Sequence, residues 1–534
     1  MLSIPTIWSH TSDFPTSYPG RIPRPFAFGQ TRFITERDIG HAKRCLRSWI
    51  ISYRSEANDS GAGIPPTQAE TTRSVYDLSQ MHAAEQRKTL LEHARSVLVE
   101  RFRFERILHG FSVSVGGFAV SPDIVGVEFS GAQTLFHLVP AFAPKAHSLD
   151  YARLQTVVLR RSGYDVRQVV FLCLDRDYDL ADRTTVEARD LFREVRAPKT
   201  FERSLGETEK FMAKLHTSAS SANLPGRCRR QLSCESCYPH HAEERPEHHI
   251  RTLFRGGGLV DELEKKGFTD LRELTEEQLP GRRHKLQLQA IRSGVPHVDH
   301  ERLRAFLEEL SFPRVYLDFE TISRAIPPVS GVKPWEHIPM QFSAHRQESP
   351  GADLVEFGYV AEAMTPSKDE RCALAAALTP VVEGAGCIIA YAAAFERRTL
   401  LRLAEWCPEF SPQVPGLSGR IRDLQKPFSE FWYYDPRQYG KTGLKKVLPV
   451  MSGSGYEDLD VQDGLEASLR WQYEYAAELF TRREEADFSS EVDRRELGSR
   501  LREYCAQDTR GLVDIVAAIE EVVSSDLCRP GSEA

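Results

Sequence analysis

Asp318 and Glu320 stand two residues apart at the end of an apolar run, in Arg314-Val-Tyr-Leu-Asp-Phe-Glu-Thr321. The run Val315-Tyr316-Leu317 predicts a strand, and on a strand positions i and i+2 point to the same face. Two carboxylates held side by side raise each other's pKa unless a cation lies between them. Oxygen-only ligands of this kind suit hard divalent ions such as Mg²⁺. A D-x-E pair at a strand end also occurs as a simple turn or N-cap acid, so its chemistry depends on what other groups join it.

Two further segments supply such groups. Near the C-terminus, Leu501-Arg-Glu-Tyr-Cys-Ala-Gln-Asp-Thr509 precedes Leu512, Val513, Ile515, Val516 and Ile519, an apolar pattern at helical spacing. Tyr504 and Asp508 are four residues apart and share one helix face. Between the two ends of this region, Ile388–Leu401 reads as an apolar strand entering a helix, with Glu396 near the junction.

The order D-x-E, an acid after a strand, and Y-x-x-x-D on a late helix resembles the DEDD exonucleases of the RNase H-like fold, tyrosine subtype. That resemblance implies that Asp318, Glu320, Glu396 and Asp508 hold two Mg²⁺ or Mn²⁺ ions. It also implies that Tyr504 orients the attacking water. Two departures stand out: the third acid, usually Asp, is Glu396, and an Asn often found four residues earlier is Ala392.

The chain has 534 residues, 41% hydrophobic and 27% charged, which predicts two or three soluble domains. No run of about 18 apolar residues predicts a membrane span. The N-terminus does not read as a secretory signal, so the expected location is cytoplasmic. A net charge of −7 argues against a uniformly basic nucleic-acid binder, although positive charge can be local.

Ten cysteines in such a chain point to reduced thiols and not to a disulfide framework. Cys173, Cys372, Cys387, Cys407 and Cys505 sit singly in apolar settings and read as small core residues. Cys228, Cys234 and Cys237 cluster, and Cys45 is the candidate fourth ligand. One early cysteine with three closely spaced later ones resembles the iron–sulfur RecB-type nucleases. The resemblance implies a [4Fe–4S] cluster that joins the ends of the domain. A structural Zn²⁺ fits the same spacing, with His240, His241, His248 and His249 nearby.

Between those cysteines, Ser121-Pro-Asp-Ile-Val-Gly-Val-Glu128 resembles the first half of a PD-(D/E)XK motif, with Asp123 as its acid. The next strand lacks the second acid and the lysine, whose places fall near Val139-Pro140-Ala141. Gln155 follows where RecB-type domains carry a glutamine. The expected site is therefore degenerate, leaving a domain that binds nucleic acid or serves architecture, unless Glu128 or Lys145 substitutes.

The elements expected around these motifs are a helix over 79–108, strands near 111–129 and 134–139, a helix near 149–163 and a buried strand over 168–174. Residues 1–30 and 54–72 read as loosely structured or loop. Residues 259–274 read as helix, glycine turn and helix, either a connector or a helix-hairpin-helix-like element. Asp423 resembles the aspartate strand between the second and third DEDD motifs. In 431–449, aromatic residues interleave with Arg437, Lys441, Lys445 and Lys446, a pattern that could stack bases and meet phosphates. Gly440-Lys441-Thr442 lacks the upstream glycine of a P-loop.

The expected class is α/β. A RecB-like domain (1–240) closed by a Cys cluster precedes a helical connector (241–310), an RNase H-like exonuclease domain (311–525) and a tail (526–534). The whole resembles an uncharacterised bacterial family that joins these two nuclease-type domains. It implies a 3′–5′ exonuclease acting on single-stranded DNA or RNA. The competing reading is a catalytically decayed nucleic-acid-binding or scaffold protein.

Overall fold

Aliphatic residues at alternate positions build two sheets. The computed structural model describes residues 34, 42–43, 75–180, 188–220, 246–365, 367–456, 459–461, 463–476 and 491–527. Cys45, Cys228, Cys234, Cys237, His240, His241 and Cys528 lie outside the described residues, as do the expected loops at 1–30 (entirely) and 54–72.

The first sheet follows helix α1 (Val75–Arg101). Its strands are β1 (Arg106–His109), β4 (Ile124–Val127), β5 (Gln133–Val139), β6 (Val166–Leu174) and β7 (Phe192–Arg196), in the order β1-β4-β5-β6-β7. A small hairpin of β2 (Val113–Val115) and β3 (Phe118–Val120) lies beside it. Only β5 and β6 run parallel, and helix α2 (Ala146–Arg161) makes their crossover. Leu90, Ala94 and Val97 recur at helical spacing on α1 and are buried with Phe136, Leu138, Val170 and Leu172. α1 ends earlier than the sequence suggested. Phe102 and Phe104 leave the helix to pack their rings on Phe136, and the chain then pairs as β1. Helix α3 (Thr200–Ser220) packs on α2.

In the connector, α4 (Gly257–Lys265) turns at Gly267, whose φ of +96° suits glycine. The expected second helix is a single 3₁₀ turn, Leu271–Glu273, because Asp270 caps it and Leu274 returns to extended backbone. α5 (Arg282–Ser293) and α6 (His300–Glu308) lead into the second sheet.

That sheet comprises β8 (Arg314–Ser323), β9 (His337–Gln347), β10 (Leu354–Val360), β11 (Cys387–Ala390) and β12 (Ile421–Asp423), in the order β10-β9-β8-β11-β12. β8, β9 and β10 are antiparallel, whereas β11 and β12 run parallel to β8 and to each other. Alternation along β8 decides which face each residue serves. Val315, Leu317 and Phe319 enter a core with α7 (Arg371–Val382) and α8 (Ala394–Trp406). Tyr316 and Ile322 face the opposite core, shared with α11 (Glu491–Leu527). Before α11 come α9 (Leu444–Ser452) and α10 (Gly464–Tyr475).

Among the described cysteines, one pair departs from expectation. Cys372 and Cys407 form a disulfide with a Cα–Cα separation of 5.3 Å. Cys372 is exposed at the start of α7 and not a core residue, and its partner ends α8. Cys173, Cys387 and Cys505 are buried free thiols.

The two sheets are joined by the β8–β9 loop. Trp335 and Ile326 pack with α1 and β5, the Trp335 indole donates to Pro140 O at 2.9 Å, and Ala325 N–H donates to Gln86 Oε1 at 2.8 Å.

Candidate active site

Asp318 and Glu320 occupy even positions of β8, on the side of Tyr316 and therefore of α11. Across the ladder Asp318 faces Ser343 and Glu320 faces Gln341. Both partners tie α11 in place. Gln341 donates to Leu501 O at 2.7 Å, and Ser343 and His345 both lie within hydrogen-bond distance of the Thr509 hydroxyl, at 3.0 and 2.9 Å. Thr509 follows Asp508, so β9 sets the height of that acid against β8. Further along α11, Gly511 allows close approach to α9: a Cβ there would meet Leu448 at 2.8 Å.

The result is a cluster in which carboxylate oxygens of Asp318, Glu320 and Asp508 all lie within 4.8 Å of one another. Asp508 is buried, while Asp318 and Glu320 reach partly to solvent. Burial raises the Asp318 pKa well above the usual carboxylate range, and the charges of Asp508, Glu320 and Glu396 add to it. Glu320 is pushed up to about 8 by burial and then by Asp508, with Lys445 opposing. Asp508 rises to about 6 through burial, held down by hydrogen bonds from Tyr456 and Tyr504 and by Lys445. The Tyr456 hydroxyl donates to Asp508 Oδ1 at 2.5 Å. The Cys505 thiol, one turn before Asp508, donates to Asp318 Oδ2 at 3.6 Å.

Glu396 is not within that ligand distance. It is 3% exposed in the first turn of α8, and its Oε2 has no hydrogen-bond partner among the described residues. Its pKa is raised to about 8, chiefly by burial, with the Asp423 charge a smaller contribution in the same direction. Asp423 ends β12 and accepts from the Ala392 N–H at 3.0 Å. Ala392 sits at φ +57°, a left-handed conformation that Asn and Gly adopt with less strain.

The basic and aromatic stretch of 431–446 divides differently from the sequence expectation. Phe431, Trp432, Tyr433 and Tyr434 are buried, so their rings pack within the core, Phe431 stacked on Tyr434, and offer no platform for bases. Arg437 forms an ion pair with Asp435 at 2.7 Å. Lys441 and Lys446 are exposed. Lys445 instead stands over the acid cluster, 5.5 Å from the ring centres of both Tyr456 and Tyr504.

The acid of the first sheet is occupied from within the chain. Asp123 is bound by Arg87 at 2.5 Å and by the Leu138 N–H at 2.9 Å, with His137 at 3.4 Å. Gln155 lies 3.3 Å from His137. Glu128 bonds Ser130 at the surface, and Lys145 is exposed at the N-cap of α2, so neither joins Asp123. His248 and His249 are buried near Tyr439 and Asp270 and form no metal-ligand group among the described residues.

Tyr456, Asp463, Gly464 and Cys505 also shape the site and were not singled out from sequence. Asp463 caps α10, a D-G before a helical pattern that is a legible signal. A Cβ at Gly464 would lie 3.1 Å from both Glu320 carboxylate oxygens, so the start of α10 closes directly on that acid. Tyr456 follows a Gly/Ser turn and carries no periodic signal.

Residues 315–443 match the profile of a domain of unknown function, DUF2779. The match spans Asp318, Glu320 and Glu396 and stops before Lys445, Tyr504 and Asp508. No curated protein and no solved structure matches the chain.

Proposed function

We propose that the chain is a metal-dependent nuclease, a 3′–5′ exonuclease on single-stranded DNA or RNA. The observation that carries this is the convergence of Asp318 and Glu320 with Asp508, across a sequence distance that no local turn explains, into a cluster with raised pKa values. Clustered buried carboxylates destabilise the fold without a counter-charge, so their persistence favours a cation-holding role. The all-oxygen donor set fits Mg²⁺ or Mn²⁺, and the unpartnered Glu396 Oε2 fits a fourth ligand on a second ion. The β10-β9-β8-β11-β12 order, with antiparallel and then parallel pairing, supports an RNase H-like reading of this half.

A divalent ion held by Asp318, Glu320 and Asp508 would supply Lewis acidity toward a phosphodiester. The chain's own groups then have separate tasks. Asp318, Glu320 and Asp508 fix the cation. Tyr456 and Tyr504 hold Asp508 in its charged, ligand-ready form through their hydroxyls. Tyr504 is the candidate to orient water. The first sheet, with Asp123 consumed by Arg87, has an architectural role, and the Cys45, Cys228, Cys234 and Cys237 set remains the candidate holder of a [4Fe–4S] cluster or Zn²⁺.

The test is digestion of 5′-labelled single-stranded DNA and its RNA counterpart with Mg²⁺, Mn²⁺ or EDTA. A ladder shortening from the 3′ end, lost in EDTA, is expected. Internal fragments would replace the exonuclease with an endonuclease. Binding without cleavage under every ion would favour the scaffold reading.

A further inference from the structure

Lys445 is an ammonium placed where cation binding alone would disfavour it. It lies in the first turn of α9, 3.5 Å from Asp463 Oδ2, with its side chain 41% exposed. Its Nζ is equidistant from the Tyr456 and Tyr504 ring centres, at 5.5 Å each. Ring faces attract a cation and limit where it can move. These are the rings whose hydroxyls engage Asp508, so the lysine head and the acid cluster are fixed by the same two side chains.

A lysine salt-bridged only to Asp463 would need neither ring. A lysine that merely neutralised the acids would repel an incoming divalent ion, since like charges a few ångströms apart oppose each other. Ammonium and metal are compatible when an anion bridges them. The partly exposed ammonium stands close enough to Glu320 and Asp508 to act on both charges, so an anion can touch the lysine head and a cation on the acids together.

We infer that Lys445 and the Asp318–Glu320–Asp508 cluster form a single phosphate subsite, in which Lys445 binds a non-bridging oxygen of the phosphoryl group seated at the acids. Lys445 is thus a binding and positioning residue for the reacting phosphate and not a contact to the distal backbone. The inference rests on the nuclease reading for its substrate, but its binding consequences stand apart from turnover. Divalent ion and phosphate bind cooperatively in the wild type, and the lysine carries that coupling.

The experiment measures Mn²⁺ affinity by electron paramagnetic resonance, with and without thymidine 5′-monophosphate, in the full chain and in Lys445→Met, Lys445→Arg and Lys446→Met. Lys446 is the neighbouring exposed lysine, so its variant removes the same net charge. Lys445→Met is expected to bind Mn²⁺ alone about three- to tenfold more tightly, by loss of repulsion. It is also expected to lose roughly tenfold in nucleotide affinity and most of the coupling. Lys445→Arg should restore the coupling, and Lys446→Met should match wild type. Equal behaviour of the two methionine variants overturns the inference while leaving the nuclease reading intact. Failure of the wild type to bind Mn²⁺ overturns both. The expected binding pattern without any cleavage upholds the phosphate subsite and sinks the exonuclease alone.

Discussion

Stability of the metal-free protein should fall as pH rises through the neutral range, and divalent ions should reverse that fall. Glu320 carries the calculation. Its carboxyl ionises near 4.5 when unfolded and about 8 when folded, chiefly through burial and then Asp508. Between those values the folded state binds the proton more tightly, so stability is highest below the unfolded pKa and declines until the folded pKa is passed. One pKa unit is worth about 1.4 kcal/mol, so the penalty at pH 7 is at most about 3.5 kcal/mol. For a domain of some 200 residues this amounts to at most roughly 7–14 °C in Tm. Saturating Mn²⁺ at a hundred times its Kd returns about 2.7 kcal/mol. Differential scanning fluorimetry from pH 5 to 8.5, in EDTA and in Mn²⁺, reads both effects. Glu320→Gln should match wild type near pH 5, exceed it in EDTA at pH 8, and respond little to Mn²⁺. A Glu320→Gln protein less stable than wild type at pH 8 in EDTA would refute the reasoning, because the acid would then be stabilising and not strained.

Other consequences are separable. Tyr456→Phe removes the phenol that favours ionised Asp508, whose pKa of about 6 should rise; the acid limb of the pH–activity profile should move to higher pH, and an unmoved limb would remove Tyr456 from the site. Ala392→Gly relieves a left-handed alanine and should stabilise the chain by about 1 kcal/mol, read as an increased denaturation midpoint. Trp335→Ala strips the β8–β9 loop from α1 and β5 and loses the bond to Pro140 O; about 2–3 kcal/mol should go, with the two halves melting as separate transitions.

What the sequence disclosed depended on period and pairing. The alternation of Val315, Leu317 and Phe319 against Tyr316, Asp318 and Glu320 announces a strand with a polar edge on one face, and β8 follows it. The late helix is equally legible from Leu512, Ile515, Val516 and Ile519. The aromatic run at 431–434 misled because a ring beside a lysine carries the same composition whether it is packed inward or offered to a base; only tertiary packing buries these four. Tyr456 and the approach of Gly464 to Glu320 were invisible because they arise from a chain crossing between α9 and α10, with no repeating pattern to mark it. The Cys372–Cys407 pairing likewise depends on α7 and the end of α8 meeting, which spacing alone does not specify.

The most direct measurement is the single-turnover cleavage rate of a 5′-labelled single strand in Mn²⁺ by wild type and by Asp318→Asn, a variant that keeps the shape of the side chain and removes its charge. The account predicts metal-dependent shortening by the wild type and a loss of at least about 10³-fold in the variant, roughly 4 kcal/mol of transition-state stabilisation. Undiminished cleavage by purified, folded Asp318→Asn would contradict it.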